Sequence, residues 1–338
     1  MSSLKDIAET AGCSISTVSR VLKNKGEIAP GTRKRVLEIA DRFGYHDNRL
    51  IYGLRTGKTQ MVGLICDYQN PFFQRIAHEI ENELLKKDYL TIFIGNSTDE
   101  QGRLKRLVEQ RVDGVILVPR NDFADTKYFN DVLSRGLPVI TLDRKTPAKV
   151  DFIGTDDYAC GWMMAEHFYQ LGHRKLGYYA GPSFASPAGQ RMKGFQDFCL
   201  KHPDVTLRIV TNPEKMETCD PNPQRVRTFL RKNRDLTAIG TFYDYQAYDV
   251  CRTAAELGIR IPEDIAVAGV GDMIPERGRM FELTTFDQKP EELAHIAIQR
   301  LFLRLSLPKG EMPEPVNIRI KPELIVRKST QRQKEPVK

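Results

Sequence analysis

Two hydrophobic periodicities divide the chain. Before residue 46 apolar residues recur at helical spacing, and from Met61 short apolar runs alternate with amphipathic stretches. Leu4, Ile7, Ala8 and Ala11 keep the spacing of one buried helical face. Ser3 and Asp6 form a variant capping box at its start, and Gly12 stops it. Ser14 then N-caps a second helix with Val18, Val21 and Leu22 on its inner face. A third segment follows Pro30, with Val36, Leu37, Ala40 and Phe43 inward and Gly44 as its stop. Three short helices around one small core, with a glycine turn between the first two, predict an all-α helix-turn-helix head over residues 1–46.

In the body, MVGLICD, LTIFIGN, DGVILVP and LPVITLD read as buried parallel strands, each almost continuously apolar. KLGYYAG, TAIGTFYD and DIAVAGVGD form a second series. Amphipathic stretches such as IAHEIENELLKK and QRMKGFQDFCLK fall between the strands. The alternation predicts an α/β body over 61–330, built as two doubly wound parallel-sheet subdomains. Their expected spans are 61–157 with 289–318, and 158–288 with 319–330. Residues 47–60 read as a linker with a short helix capped by Asp47, and 331–338 as a disordered basic tail.

Charge sharpens the picture. Residues 1–60 hold 11 Lys and Arg against 6 Asp and Glu, a net +5, while 61–318 hold 33 against 36. A basic head on a slightly acidic body points to a polyanion as the partner of the head. On the second helix Ser16 and Arg20 face away from the core, flanked by Thr17 and Ser19, with Ile15 at the exposed start. Such a helix fits the DNA major groove, where Arg donates twice to guanine and an apolar side chain touches a thymine methyl. The hydroxyls of Ser14, Thr17 and Ser19 suit phosphate contacts. A solvated surface helix would also be polar outside; the glycine turn, outward Arg and basic charge together favour DNA.

Ligands of doubly wound sheets sit beyond the carboxyl ends of the strands. The residues there are Asp67 to Phe73, Pro119 and Arg120, Asp143 and Arg144, the loop to Arg191, Tyr243 and Asp244, and Asp272. Carboxylates and Arg forks beside Phe72 and Phe73 are what a sugar ring needs. Plainer roles stay open: an Asp after a strand caps the next helix, and the two phenylalanines fill the core. Arg120 and Arg144 add positive charge that would suit an anionic ligand such as a sugar phosphate or uronate.

The stretch LKDIAETAGCSISTVSRVLKNKGEIAPGTRKRVLEIADRFGY resembles the head of the lactose-repressor (LacI/GalR) family of bacterial transcription regulators. The body resembles the same family through NPFF, RVDGVIL, LPVITLDR, GTDDYACG, QRMKGF, ELGIRIPEDIAVAGVGD and LTTFDQ. The resemblance implies base reading by Ile15, Ser16 and Arg20. It implies backbone contacts by Ser14, Thr17, Ser19 and Asn24, and a minor-groove wedge at Leu54. It places Phe73, Asp143, Arg191 and Asp244 around a small-molecule effector, with Gln288 near the crossover between the halves; Asn70, Phe72, Arg120, Arg144 and Asp272 join the expected effector set by their position after strand ends. It departs from the pattern at Ala29, where relatives carry a Ser or Thr cap, and at Gly271, where they often carry an effector-binding aspartate.

The resemblance implies a repressor that binds a near-palindromic operator as a homodimer, since one recognition helix covers too few base pairs. A carbohydrate between periplasmic-binding-protein-like subdomains would control it, a purine being the alternative. No phosphate loop is present, and the GxG at Gly269 and Gly271 lacks the third glycine of a dinucleotide fingerprint. The six cysteines are scattered without CxxC spacing, so neither metal nor disulfide framework is expected, and no cofactor. With no signal peptide or membrane span legible, the expected compartment is the cytoplasm, which argues against a transport receptor. No leucine heptad follows Arg327, so no tetramer built on a C-terminal coiled coil is expected.

Overall fold

The computed structural model describes residues 3–22, 26–45, 57–95, 99–119, 127–183, 185–211, 223–273, 281–308, 311 and 313–331. Asn24, Leu54, Arg120, most of the 47–60 linker and nearly all of the basic tail lie outside them. The chain divides into two compact units, Met1–Thr59 and Gln60–Lys338.

The first unit holds α1 (Leu4–Ala11), α2 (Ile15–Leu22) and α3 (Pro30–Arg42). Ser3 Oγ accepts from Asp6 N–H at 3.2 Å, and Asp6 Oδ2 accepts from Ser3 N–H at 2.7 Å, so both arms of the capping box form. Gly12, at φ 60°, takes the left-handed turn that ends α1. Ser14 Oγ accepts from Thr17 N–H and starts α2, whereas Ala29 gives α3 no side-chain cap. Ile7, Ala8, Ala11, Val18, Val21, Val36 and Ala40 form the core. Leu37 is exposed, contrary to expectation, and Ile39 packs in its stead. The two flank the Val36–Ala40 stripe on opposite sides of the helical wheel, and the core lies on the Ile39 side.

The second unit begins with β1 (Met61–Cys66), α4 (Pro71–Leu85), β2 (Leu90–Gly95), α5 (Glu100–Glu109), β3 (Gly114–Leu117), α6 (Lys127–Ser134), β4 (Val139–Leu142) and β5 (Asp151–Thr155). It continues with α7 (Asp157–Gln170), β6 (Lys175–Tyr179), α8 (Ser186–Lys201), β7 (Thr206–Val210), α9 (Pro223–Lys232), β8 (Ala238–Thr241), α10 (Asp244–Glu256) and β9 (Ala266–Ala268). Last come β10 (Thr285–Asp287), α11 (Pro290–Ser306), β11 (Asn317–Ile320) and β12 (Glu323–Ile325).

One parallel sheet has the order β11-β5-β4-β3-β1-β2 and a second has β7-β6-β8-β9. The antiparallel pair β10-β12 lies next to the second through a bridge between Ala268 and Thr284. The chain passes between the halves after β5, between β10 and α11, and between β11 and β12. Gln288 Nε2 donates to Thr155 Oγ1 at 3.2 Å and ties two of these passages together. Pairing of Ile320 with Thr155 keeps Arg319 and Ile320 in the first sheet, two residues beyond the expected boundary. The core of each half is apolar strand against amphipathic helix, as in the cluster of Leu64, Ile80, Ile140 and Leu293.

Candidate functional site

On α2 the side chains divide as their spacing requires. Val18 and Val21 are buried, while Ser14, Ile15, Ser16 and Arg20 are exposed and Thr17 and Ser19 half-buried. Ile15 is 48% exposed, an apolar residue at the first helical position that the core leaves about half open to solvent. Ser14 Oγ sits 2.7 Å from Ser16 Oγ and 2.8 Å from Thr17 Oγ1, so three hydroxyls cluster at the helix start, where unsatisfied N–H groups attract phosphate.

At the strand ends of the body the structure sorts the expected residues into two groups. Asn70 caps α4, its Oδ1 accepting from Phe72 N–H at 3.0 Å. Phe72 and Phe73 are 4% and 3% exposed and lie in the core cluster with Ile76 and Leu293, so the open aromatic platform expected over a sugar is not there. The helix begun at Pro71 turns both rings inward, 5.1 Å apart. Met273 and Tyr243, from the other half, pack against this same cluster.

The second group is polar and buried. Asp143 follows β4 in a left-handed conformation, φ 62°, with Arg144 Nε 3.7 Å from its carboxylate. Arg191 points in from α8, its Nε donating to Asp157 Oδ1 at 2.8 Å and Nη1 to the Phe242 carbonyl at 2.7 Å. Its guanidinium also lies over the Phe242 ring, 4.8 Å from the centroid. Asp244 accepts from Met273 N–H at 2.9 Å and from Thr285 Oγ1 at 2.6 Å. Asp272, also left-handed at φ 45°, pairs with Arg327 at 2.8 Å. Non-glycine residues held in this region cluster at ligand sites.

Burial governs the electrostatics. It pushes the Asp157 carboxyl up, to about 6, against the pull of Arg191, and raises Asp143 against Arg144 and Arg191. Asp244 is likewise pushed to about 6 by burial, despite its two donors. Nearby carboxylates keep the Arg191 guanidinium charged in spite of its burial.

Asp157 is the group that sequence reasoning missed. It stands in the pair Asp156–Asp157 and reads as a first-turn acid. Asp156 takes that duty, accepting from Ala159 N–H at 3.0 Å, and Asp157 is left to turn inward. The doubled acid was the available signal.

Comparison with known proteins decides the family. The profile described as "Bacterial regulatory proteins, lacI family" matches residues 3–48, and that described as "Periplasmic binding protein-like domain" matches 165–330. The chain belongs to the lacI family of bacterial regulatory proteins. It is 28% identical over 336 residues to the HTH-type transcriptional repressor PurR of Photobacterium profundum, covering 97% of this chain and 98% of that one. The sucrose operon repressor of Pediococcus pentosaceus is 27% identical, with 89% and 92% covered. Among solved structures the Lac repressor bound to ONPG superposes with a TM-score of 0.82 at 23% identity, covering 97% and 99%, which shows the shared fold. Within this lacI-family chain, α2 lies in the matched N-terminal region and exposes Ile15, Ser16 and Arg20.

Proposed function

We propose that this chain is a transcriptional repressor whose grip on operator DNA is set by a small molecule held between the two sheets of the body. The exposed face of α2 carries the DNA-binding part of the reading. An exposed Ile15 beside outward Ser16 and Arg20 matches what the major groove offers, methyl groups and guanine acceptors. Ser14, Thr17, Ser19 and Asn24 contact backbone, and Leu54 wedges the minor groove between two half-sites of a homodimer.

Asp143, Arg144, Arg191, Asp244, Asp272 and Gln288 surround the effector, a carbohydrate. Buried polar groups at the carboxyl ends of strands from both sheets support this placement. Repressors of sucrose and purine type among the relatives keep a purine as the second candidate. Effector binding shifts the balance of two body arrangements, and the linkers carry that shift to the heads. Such a protein works in the cytoplasm; among the described residues no helix is long and apolar enough to cross a membrane.

Selection from random duplexes tests this. The purified chain enriches a near-palindrome, and Arg20→Ala loses that discrimination while keeping its effector-induced thermal shift. Failure of the intact chain to enrich any sequence would sink the reading.

A further inference from the structure

Among the described residues, one buried member of the apolar cluster behind the first sheet comes from the other half of the body. Met273, 6% exposed, follows β9 and joins Cys66, Phe72, Phe73, Val118 and Leu142 in that cluster. The main chain around it is fastened to the second half. Met273 N–H donates to Asp244 Oδ2 at 2.9 Å, Asp272 N–H to Thr285 Oγ1 at 3.3 Å and Gly271 N–H to the Phe286 carbonyl at 2.8 Å. Arg327 holds the Asp272 carboxylate at 2.8 Å. The backbone is thus pinned on one side of the cleft while the side chain is buried on the other.

Gly271 makes that crossing possible. Its φ of 127° and the φ of 45° at Asp272 turn the chain sharply just before Met273. A Cβ at position 271 would lie 2.7 Å from Met273 Cγ and 3.0 Å from its Cε, so the thioether runs over a residue that has to lack a side chain. We propose that Met273 is an apolar latch across the cleft: with Gly271 giving it room, it holds the two halves of the body against each other before any ligand is bound. Parting the halves would bare a buried methionine and uncover the cluster around Phe72 and Phe73, and water penalises both. An unbranched, polarizable side chain suits the role, because it adapts to an irregular apolar surface. Tyr243 packs against the same cluster from the same side and widens the seam.

The latch stands on the fold alone; its bearing on the effector rests on the cleft reading given above. Apparent affinity scales with the fraction of chains already in the binding arrangement, so a ligand that needs the halves together binds more tightly when the latch keeps them so. Met273 is in this sense a positioning residue, acting on the effector through the closed fraction. Asp244, which accepts the Met273 N–H, joins the latch to the polar groups at the strand ends.

Small-angle X-ray scattering of the ligand-free full chain tests the latch, with circular dichroism as the check on folding. Met273→Gln, close in length but polar, and Gly271→Ala, which crowds the thioether, should each raise the radius of gyration. Met273→Leu should keep the native value. In the native chain carrying methyl-labelled methionine, the Met273 resonance, assigned through Met273→Leu, should be shielded from a soluble nitroxide that broadens exposed methyls. Calorimetry with ribose, sucrose, cellobiose and adenine reads the consequence. Whichever of them binds the native chain should bind Met273→Gln about tenfold more weakly and Met273→Leu as before. Broadening of the Met273 methyl to the extent of an exposed one would overturn the proposal. So would folded Met273→Gln and Gly271→Ala chains of native radius, or a Met273→Leu chain as expanded as Met273→Gln. Should Met273→Gln fail to fold, Gly271→Ala and the methyl resonance decide. Binding of none of these ligands, with the radii as expected, would count against the effector reading and leave the latch standing.

Discussion

Asp151 holds Arg304 in a two-point fork across 153 residues of sequence, Nε to Oδ2 at 2.7 Å and Nη2 to Oδ1 at 2.6 Å. Arg300 Nε adds a third donor at 3.1 Å and the Val316 N–H a fourth at 2.9 Å. The carboxylate is fully buried at the start of β5, so this cluster joins α11 and the segment before β11 to the first sheet. Burial alone would push the carboxyl up, but donors from Arg304, Val316 and Arg300 outweigh it and hold it below the usual carboxylate range.

Asp151→Ala leaves the part-buried guanidiniums of Arg300 and Arg304 without this acceptor. Removal of one partner from such a pair costs about 3–5 kcal/mol. Urea denaturation of the variant should show its midpoint lowered accordingly, with Asp151→Asn falling between it and the native chain.

Asp244 works in the opposite sense. Its folded carboxyl, at about 6, lies above its ordinary value of 3.8, so the folded chain binds this proton more tightly than the unfolded one. The contribution to stability is greatest below the unfolded value and is lost as pH rises through about 6. Asp157 shifts the same way. Asp244→Asn should therefore flatten the fall in unfolding free energy between pH 4 and pH 6 by on the order of 3 kcal/mol. Thermal unfolding across that range measures it, and an unchanged slope contradicts the assignment.

Gly161 on α7 and Gly194 on α8 let the two helices meet backbone to backbone. A Cβ at Gly161 would overlap the Arg191 carbonyl oxygen, and one at Gly194 the Tyr158 carbonyl oxygen. Gly194→Ala should lower stability by about 1–3 kcal/mol as the helices part. Effector affinity should fall with it, because Arg191 is displaced. Unfolding curves and titration of the same preparation check both effects together.

In the head, adjacent positions should behave oppositely. Ile15→Ala alters operator preference and leaves stability within about 0.5 kcal/mol, since the side chain lies outside the core. Val18→Ala destabilises the head, as a fully buried residue would. Binding assays on variant duplexes, paired with thermal unfolding, separate the two.

Local periodicity made the head legible down to its caps, because Ser3, Gly12 and Ser14 act within a turn of their own positions. In the body it disclosed seven strands but not β5, β7, β10, β11 or β12. The run DFIGT begins with a charge whose partners, Arg300 and Arg304, are remote in sequence, and TLRIV is an edge strand with half-exposed side chains. Leu37 and Ile39 were indistinguishable until packing chose a side. The strand-end rule picked out residues that the fold buries, Asp143, Arg191 and Asp244, while Phe72 and Phe73 went to the core. Asp157 was missed for a different reason: the doubled acid marks it, but its partner Arg191 lies 34 residues away.

The contact permitted by Gly161 and Gly194 also bears on timing. Asp157 and Arg191 ride on two helices whose main chains touch, so the ion pair sits within one stiff block. The pair is then in place from the moment the chain folds, before any visitor arrives, rather than being assembled around it.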